Sequence, residues 1–311
     1  AAARKPFSSR AVPDGLCPPA GAPRLPNWLK VRLPTGEKFR RVRGLAAKNG
    51  LSTVCEEARC PNIGECWDGG TATFMVMGEL CTRGCRFCSV GASARPPAPD
   101  PSEPGRLAES VAALGLRYAV LTTVCRDDLA DQGAGHIAAC IRAVKALSPK
   151  TLVEFLVQDF RGLEEPLKTV LDAGPDVLSH NLETVERLTP RVRDAKAGYR
   201  QSLGVLGTAL RLKPGLPTKS SLMLGLGETP EELLAALRDL RGAGVRILTL
   251  GQYLRPTRSL QHLPVVEYLE PSRFEEYGRL AKGLGFDFVA SGPFVRSSYR
   301  AAELFLEGKI G

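Results

Sequence analysis

The sequence predicts an α/β fold: a partial (βα)6 barrel of the TIM type, with a cysteine-bearing N-terminal extension and a short C-terminal segment. Three observations lead there. From residue 71 onward, short β-prone apolar runs alternate with helix-patterned stretches, which calls for a parallel sheet with right-handed crossovers. About six strand–helix units can be read, too few for a closed eight-unit barrel, and no Gly-x-Gly-x-x-Gly follows a strand to suggest a dinucleotide fold. A cysteine-rich loop follows the first strand directly, at the strand end where barrels of this kind hold their chemistry.

Residues 1–50 read as a basic arm, with eleven Lys/Arg against two Asp/Glu and six prolines within residues 1–26. A solvated arm with little fixed structure is the plain reading, and an arm that docks an acidic partner the sharper one. Residues 51–70 hold Cys55, Cys60 and Cys66 among Gly, Pro and Asn, a composition suited to irregular structure around a ligand. Residues 71–80 predict the first strand, from the run Thr73, Phe74, Met75, Val76 and Met77, and lead straight into Cys81, Cys85 and Cys88. Residues 95–104 carry five prolines and predict a stiff connector.

The strands Tyr118–Val124, Leu152–Val157, Asp176–His180, Thr218–Leu224 and Val245–Leu250 follow, with helices over His136–Leu147, Leu163–Ala173 and Tyr199–Leu212. Thr229-Pro-Glu-Glu232 places a capping residue, then Pro at the first helical position, then Glu at the third. Leu233, Leu234, Leu237 and Leu240 line one face of that helix, and Gly242 and Gly244 end it. Ser272-Arg-Phe-Glu275 predicts a second capping box and a helix that ends near Gly283. The expected divisions are thus an arm over 1–50, a ligand-binding segment over 51–70, a barrel over 71–290 and a C-terminal segment over 291–311.

Composition excludes several classes. The net charge of +9 resides in the arm, and the rest of the chain is neutral overall. Aromatic residues are 6% of the chain and no basic face with interleaved aromatics is visible, so nucleic acid is not an expected partner. No apolar run reaches the roughly 18–20 residues that span a membrane, and the start shows no secretory pattern. Nine cysteines would make a disulfide framework only in an oxidising compartment, to which nothing here directs the chain; clustered thiols then point to metal.

Each triplet makes three sides of a metal cage. Three cysteines within eight residues can wrap a corner of a [4Fe–4S] cube, leaving one iron open to a small molecule. A structural zinc site is the competing reading, but zinc favours two Cys-x-x-Cys knuckles or Cys/His pairs. Only Cys85 and Cys88 form such a knuckle, and the three histidines, His136, His180 and His262, are scattered.

Cys-x3-Cys-x2-Cys, with Phe87 before the last cysteine, after a first strand and ahead of βα units, resembles the radical S-adenosylmethionine (SAM) superfamily. The spacing Cys-x4-Cys-x5-Cys of the first triplet narrows the likeness to the lipoyl synthase family. So do Arg126-Asp-Asp-Leu129, His180-Asn-Leu-Glu183, Thr218-Lys-Ser220, Gly225-Leu-Gly-Glu-Thr229, Gly251-Gln-Tyr-Leu254 and Arg296-Ser-Ser-Tyr299, over roughly residues 50–301.

The resemblance implies two [4Fe–4S] clusters and SAM. Cys81, Cys85 and Cys88 would hold the cluster that cleaves SAM reductively to a 5′-deoxyadenosyl radical. Cys55, Cys60, Cys66 and Ser297 would hold an auxiliary cluster, the source of sulfur inserted at C6 and C8 of an octanoyl chain. Implied partners are octanoylated lipoyl carrier domains or the glycine cleavage H protein, a ferredoxin- or flavodoxin-type electron donor and an iron–sulfur cluster carrier for repair. The implied compartment is the bacterial cytoplasm, or the mitochondrial matrix or a plastid in a eukaryote. The alternative is another radical SAM sulfurtransferase, resembling biotin synthase or a methylthiotransferase.

Asn181, Glu183, Lys219, Glu228 and Gln252, each at a strand end or edge, are candidate SAM contacts; turn chemistry, helix starts or solvent exposure are their plain alternatives. His180 reads as a satisfied core histidine, and Cys125 and Cys140 read as core thiols. Asp127 and Asp128 are site residues or a loop start. Gln132 stands where the family usually has glycine.

Overall fold

The computed structural model describes residues 25–29, 40, 43–44, 51–53, 62–68, 72–257 and 259–298. Cys55 and Cys60 and most of the predicted arm lie outside the described residues.

In chain order the described strands are β1 (Ser52–Thr53), β2 (Ala72–Val76), β3 (Leu80–Cys81), β4 (Gly91–Ala92), β5 (Tyr118–Thr123), β6 (Leu152–Leu156), β7 (Val177–Ser179), β8 (Thr218–Leu224), β9 (Ile247–Gln252) and β10 (Phe288–Gly292). The helices are α1 (Ile63–Asp68), α2 (Glu103–Leu114), α3 (Ala134–Leu147), α4 (Glu164–Asp172), α5 (Thr189–Val192), α6 (Tyr199–Leu212), α7 (Pro230–Gly242) and α8 (Pro271–Gly283). The main sheet runs β1-β2-β5-β6-β7-β8-β9-β10, with β1 antiparallel on β2 and every other pair parallel. Six strand–helix units follow one another from β2 with α2 to β9 with α8, as expected, and β10 adds a final parallel strand.

Strand side chains alternate between two environments because the pleat has a period of two. On β5, Ala119 and Leu121 join the core beneath the helices, whereas Tyr118 and Val120 turn inward to meet Val177 and Ile247. On β8 and β9, Leu222, Leu224, Leu248 and Leu250 pack under α7 and α8.

Residues 51–70, expected to be irregular, include β1 and the short helix α1, and two elements of the barrel itself were not legible in the sequence. The connector over 95–104 gives way to α2, because Pro104 occupies the first helical turn, where a missing N–H costs nothing. Leu107 and Val111, four residues apart, then bury one helical face. β10 is half-buried throughout and ends in Ala290, Ser291 and Gly292, residues that announce no strand. Its parallel pairing with β9 supplies what its composition does not.

The capping box at Thr229 forms: Oγ1 accepts from the Glu232 amide, and the Glu232 carboxylate accepts from the Thr229 amide at 2.8 Å. The box expected at Ser272 does not, because α8 already starts at Pro271 with Glu270 as its N-cap.

Inside the barrel, Lys219 Nζ lies 2.9 and 3.0 Å from the two Glu154 oxygens, which also accept from Tyr118 Oη and Ser179 Oγ. Both ionic side chains are 1% exposed. Lys219 is the second residue of a seven-residue strand, so its inward side chain sits in a layer below Ser221 and Met223 rather than at the mouth. Removing one partner strands the other charge in the interior. Lys219→Met is therefore expected to lower unfolding free energy by about 3–5 kcal/mol, and adding Glu154→Leu to restore most of it. Urea unfolding measures both variants; equal losses for single and double would contradict the pairing.

Candidate metal centre at the barrel mouth

β3 and β4 form a small parallel ladder that closes the cysteine loop at its base, with the Ser93 amide bonded to the Cys81 carbonyl at 2.8 Å. Cys81 ends β3, and Cys85 and Cys88 lie on the loop between the two strands. That loop is bonded to segments that leave four of the barrel strands. After β5, the Cys125 carbonyl accepts from the Thr82 amide at 3.0 Å. After β6, Asp159 takes two bonds from the Arg83 guanidinium, at 2.6 and 2.7 Å. After β7, the Val192 carbonyl accepts from the Arg86 amide at 2.9 Å and the Asp194 carboxylate from the Gly84 amide at 2.9 Å. After β9, His262 donates from Nε2 to the Cys88 carbonyl at 2.9 Å, and the Leu263 amide donates to the Arg86 carbonyl.

Arg83 is the centre of this clamp. Asp127 accepts from its Nε and Nη2 at 3.0 and 2.8 Å, and Asp159 from both terminal nitrogens. All three side chains are nearly inaccessible. Burial works against both carboxylates, but Arg83's hydrogen bonds and charge outweigh it and hold them well below the usual carboxylate range. Asp127 is thus a brace for the loop, whereas Asp128 pairs with Arg126.

The sulfurs receive backbone donors. Cys81 Sγ accepts from the Arg83 and Cys125 amides at 3.4 and 3.3 Å, and Cys85 Sγ from the Asp194 amide at 3.3 Å. Burial pushes the Cys85 thiol up to about 11 and Cys88 to about 12, and the neighbouring thiols and Glu183 add to both. A hydrogen bond to Cys125, against burial, brings Cys81 down to about 7. Two of the three therefore need a cationic partner to exist as thiolates near neutral pH. Three thiols on one loop leave the fourth side of a metal cage open, which suits a [4Fe–4S] cluster with one iron free for a small molecule.

Beside the cysteines, the residues that follow β7 leave buried polar atoms unmatched: Asn181 Oδ1, Thr184 Oγ1 and Arg193 Nε. Buried polar atoms are normally satisfied, so this edge of the mouth is built for a polar ligand. Glu183 shares it, with φ +70, an Asn181 Nδ2 bond at 3.1 Å, and a carboxyl raised by burial against the opposing charge of Arg193. Arg193 also donates to Ser202 Oγ at 2.6 Å; Ser202 bonds His180 Nε2, and His180 Nδ1 donates to the Val157 carbonyl. Burial, then the Arg193 charge, lowers His180 to about 4, so it is a neutral core histidine as expected.

The structure thus brings Cys81, Cys85, Cys88, Asn181 and Glu183 together. It does not bring Lys219 there, and it commits Glu228 and Gln252 elsewhere. The Glu228 carboxylate accepts from the Gly225 and Leu226 amides at 2.5 and 3.0 Å, holding a turn whose Gly225 and Gly227 have φ +97 and +100. Gln252 donates to the Leu224, Tyr253 and Glu267 carbonyls and accepts from the Leu269 amide, which uses its whole side-chain amide. Arg83, Asp159, Arg193 and Asp194 were missed by sequence reasoning, since no local pattern marks them. Cys125 is not the core thiol expected; it faces Cys81, while Cys140 is fully buried. Gln132 adopts φ +52, a strained value for a non-glycine, and its side chain is anchored to the Phe160 carbonyl at 3.0 Å.

The first-triplet segment reaches the same end of the barrel. Cys66 lies in α1 and, like Cys81, packs against the larger apolar core. Asn62, just before α1, donates to the Phe294 carbonyl of the C-terminal segment. That segment crosses the end of β9: a methyl group on Gly251 would come 2.0 Å from the Val295 carbonyl oxygen and 3.4 Å from Arg296 Nη1.

Residues 75–240 match the family model of the radical SAM superfamily, and residues 18–60 that of the N-terminal domain of lipoyl synthase. A lipoyl synthase from Anaeromyxobacter sp. (strain Fw109-5) is 59% identical, covering 92% of this chain and 97% of that one. One from Myxococcus xanthus is 56% identical over 92% and 95%, and a mitochondrial lipoyl synthase from Drosophila melanogaster 54% over 91% and 76%. Among solved structures, a methylornithine synthase superposes with TM-score 0.54 at 13% identity, covering 81% of this chain and 74% of that one. A maturase of the [FeFe]-hydrogenase superposes at 0.55 and 14%, covering 70% and 50%. At such identities these two share the fold alone, whereas the sequence matches and the cysteine loop agree on more: the chain belongs to the lipoyl synthase family of the radical SAM superfamily.

Proposed function

We propose that the protein inserts two sulfur atoms at C6 and C8 of an octanoyl-lysine borne by a carrier protein, with the sulfur drawn from a second, auxiliary [4Fe–4S] cluster. Family membership makes it a radical SAM sulfurtransferase, with one [4Fe–4S] cluster and SAM as its cofactors. When bound, they supply a carbon-centred radical that takes a hydrogen atom from an unactivated methylene, which no side-chain base can deprotonate.

The residues divide the work. Cys81, Cys85 and Cys88 ligate the radical-generating cluster, and Arg83 with Asp127 and Asp159 keeps their loop in one conformation. Arg193 Nε and Asn181 Oδ1 offer a donor and an acceptor to the carboxylate and amino groups of SAM, and Glu183 a further acceptor. Glu228 and Gln252 act at a distance by shaping the loops after β8 and β9. Cys55, Cys60, Cys66 and Ser297 would hold the auxiliary cluster, with α1, which carries Cys66, tied through Asn62 to the C-terminal segment just before Ser297. A serine oxygen is a hard ligand for a soft cluster and would make the weakest of the four attachments.

The observation that carries this reading is the convergence of the Cys66 segment and the Arg296-Ser297 segment, through Asn62 and Phe294, on the end of β9. Gly251→Ala tests it. The added methyl collides with backbone, so the C-terminal segment must lift, and iron is expected to fall from about eight per chain to about four while the barrel still unfolds at its usual midpoint. Retention of all iron would argue against Ser297 as ligand. The activity itself is tested by anaerobic incubation of reconstituted protein with SAM, a reductant and an octanoyl-lysine peptide. The peptide is expected to gain two sulfurs as the dithiol, losing two hydrogens only on later oxidation to the cyclic disulfide, with isotopically labelled sulfur arriving from the protein's cluster; unlabelled product would reject the auxiliary source.

An octanoylated lipoyl carrier domain or H protein, a ferredoxin- or flavodoxin-type donor and a cluster carrier that rebuilds the auxiliary site complete the system. The bacterial relatives favour a cytoplasmic setting. Among the described residues no helix is long and apolar enough to cross a membrane.

A further inference from the structure

Cys125 is a fourth sulfur at the barrel mouth and has no part in the chemistry above. Its amide donates to Cys81 Sγ at 3.3 Å, and its carbonyl accepts from the Thr82 amide and hydroxyl, each at 3.0 Å. With its amide nitrogen 3.3 Å from the Cys81 sulfur, Cys125 lies within the short reach that a disulfide needs. Disulfides span about 4.4–6.8 Å between Cα atoms. Both residues are partly exposed, unlike the buried Cys140.

We propose that Cys81 and Cys125 form a redox pair: in the chain that lacks its cluster, hydrogen peroxide links them in a disulfide that withdraws Cys81 from iron until a dithiol restores it. This rests on the reading of Cys81 as a cluster ligand. Peroxide transfers one oxygen to the Cys81 sulfur, giving a sulfenic acid and one water. The Cys125 sulfur then attacks that sulfur, the S–S bond forms, and the oxygen leaves as a second water. Two thiols lose two electrons and two protons, and the peroxide is reduced to two waters. In the loaded enzyme Cys81 is bound to iron, so the bridge belongs to the cluster-free chain. It stops Cys81 short of the sulfinic and sulfonic acids that no thiol reverses.

The test uses the full chain freed of cluster by a chelator, treated with one equivalent of hydrogen peroxide, alkylated and mapped by mass spectrometry without reduction. Trypsin cleaves after Arg83 and Arg86 and so separates Cys81, Cys85 and Cys88. The expected product joins the Cys81 and Cys125 peptides with the loss of two hydrogens, while Cys85 and Cys88 alkylate. Dithiothreitol is expected to separate the pair and restore iron uptake on reconstitution. In Cys125→Ser, excess hydrogen peroxide, one molecule for each of the two steps, carries Cys81 through the sulfenic to the sulfinic acid, and dithiothreitol no longer restores uptake. Cys81 bridged to Cys85 or Cys88, or both Cys81 and Cys125 fully alkylated after peroxide, would overturn the proposal. Cys81→Ala tests the ligand reading by iron count alone, so its failure is distinguishable from failure of the bridge.

Discussion

Replacing Cys88 by alanine is expected to halve the iron, from about eight atoms per reconstituted chain to about four, and to leave no detectable lipoyl product. Burial pushes the Cys88 thiol up to about 12, so only a bound cation makes it a thiolate near neutral pH. Its backbone is already fixed by His262, so the variant loses the proposed ligand and little else. Without the radical-generating cluster the methylene has no other route to reaction. The fall in rate is at least about 10⁶-fold, the lower end of what enzymes add to uncatalysed chemistry. Iron and sulfide analysis with product mass measurement decides it: a variant that keeps all its iron would remove Cys88 from the ligand set.

Arg83→Met is expected to destabilise the cluster-free protein by about 3–5 kcal/mol, because it leaves Asp127 and Asp159 buried without their shared cation. Lysine at 83 is expected to recover only part of this, since a single ammonium cannot serve two carboxylates with a planar fork. The same clamp sets an acid limit. Both carboxylates titrate below the roughly 3.9 of an unfolded aspartate, so their contribution is whole above about pH 4 and is lost as pH falls through the lower folded values. Urea midpoints across pH 3–7 measure this. An Arg83→Met midpoint equal to wild type would show that the ion pairs contribute nothing net.

Much of the barrel was legible because local and long-range demands agree. The helix Tyr199–Leu212 and the strand Thr218–Leu224 have the bounds their patterns predict, and Thr229 caps as its spacing requires. α2 and β10 were not legible: prolines masked the first, and only the exposed edge of β9 creates the second. At the site, the cysteines were readable because their spacing is short-range chemistry. Lys219 was misplaced because one strand position decides whether an inward side chain meets the mouth or the layer below it. Arg193 and Asp194 were missed because the β7-to-α6 connection comes beside the cysteine loop only in three dimensions.

By itself, then, the order of residues determined the βα alternation, the cysteine loop after the first strand, and the family. These depend on periodicity and on spacings of a few residues, where the covalent chain sets the distances. Only the tertiary structure decided which charges neutralise one another, which polar atoms are left facing the mouth, and that Cys125 lies against Cys81. Those depend on contacts between residues far apart in the chain, brought together when the sheet curls and burial forces each charge to find its partner.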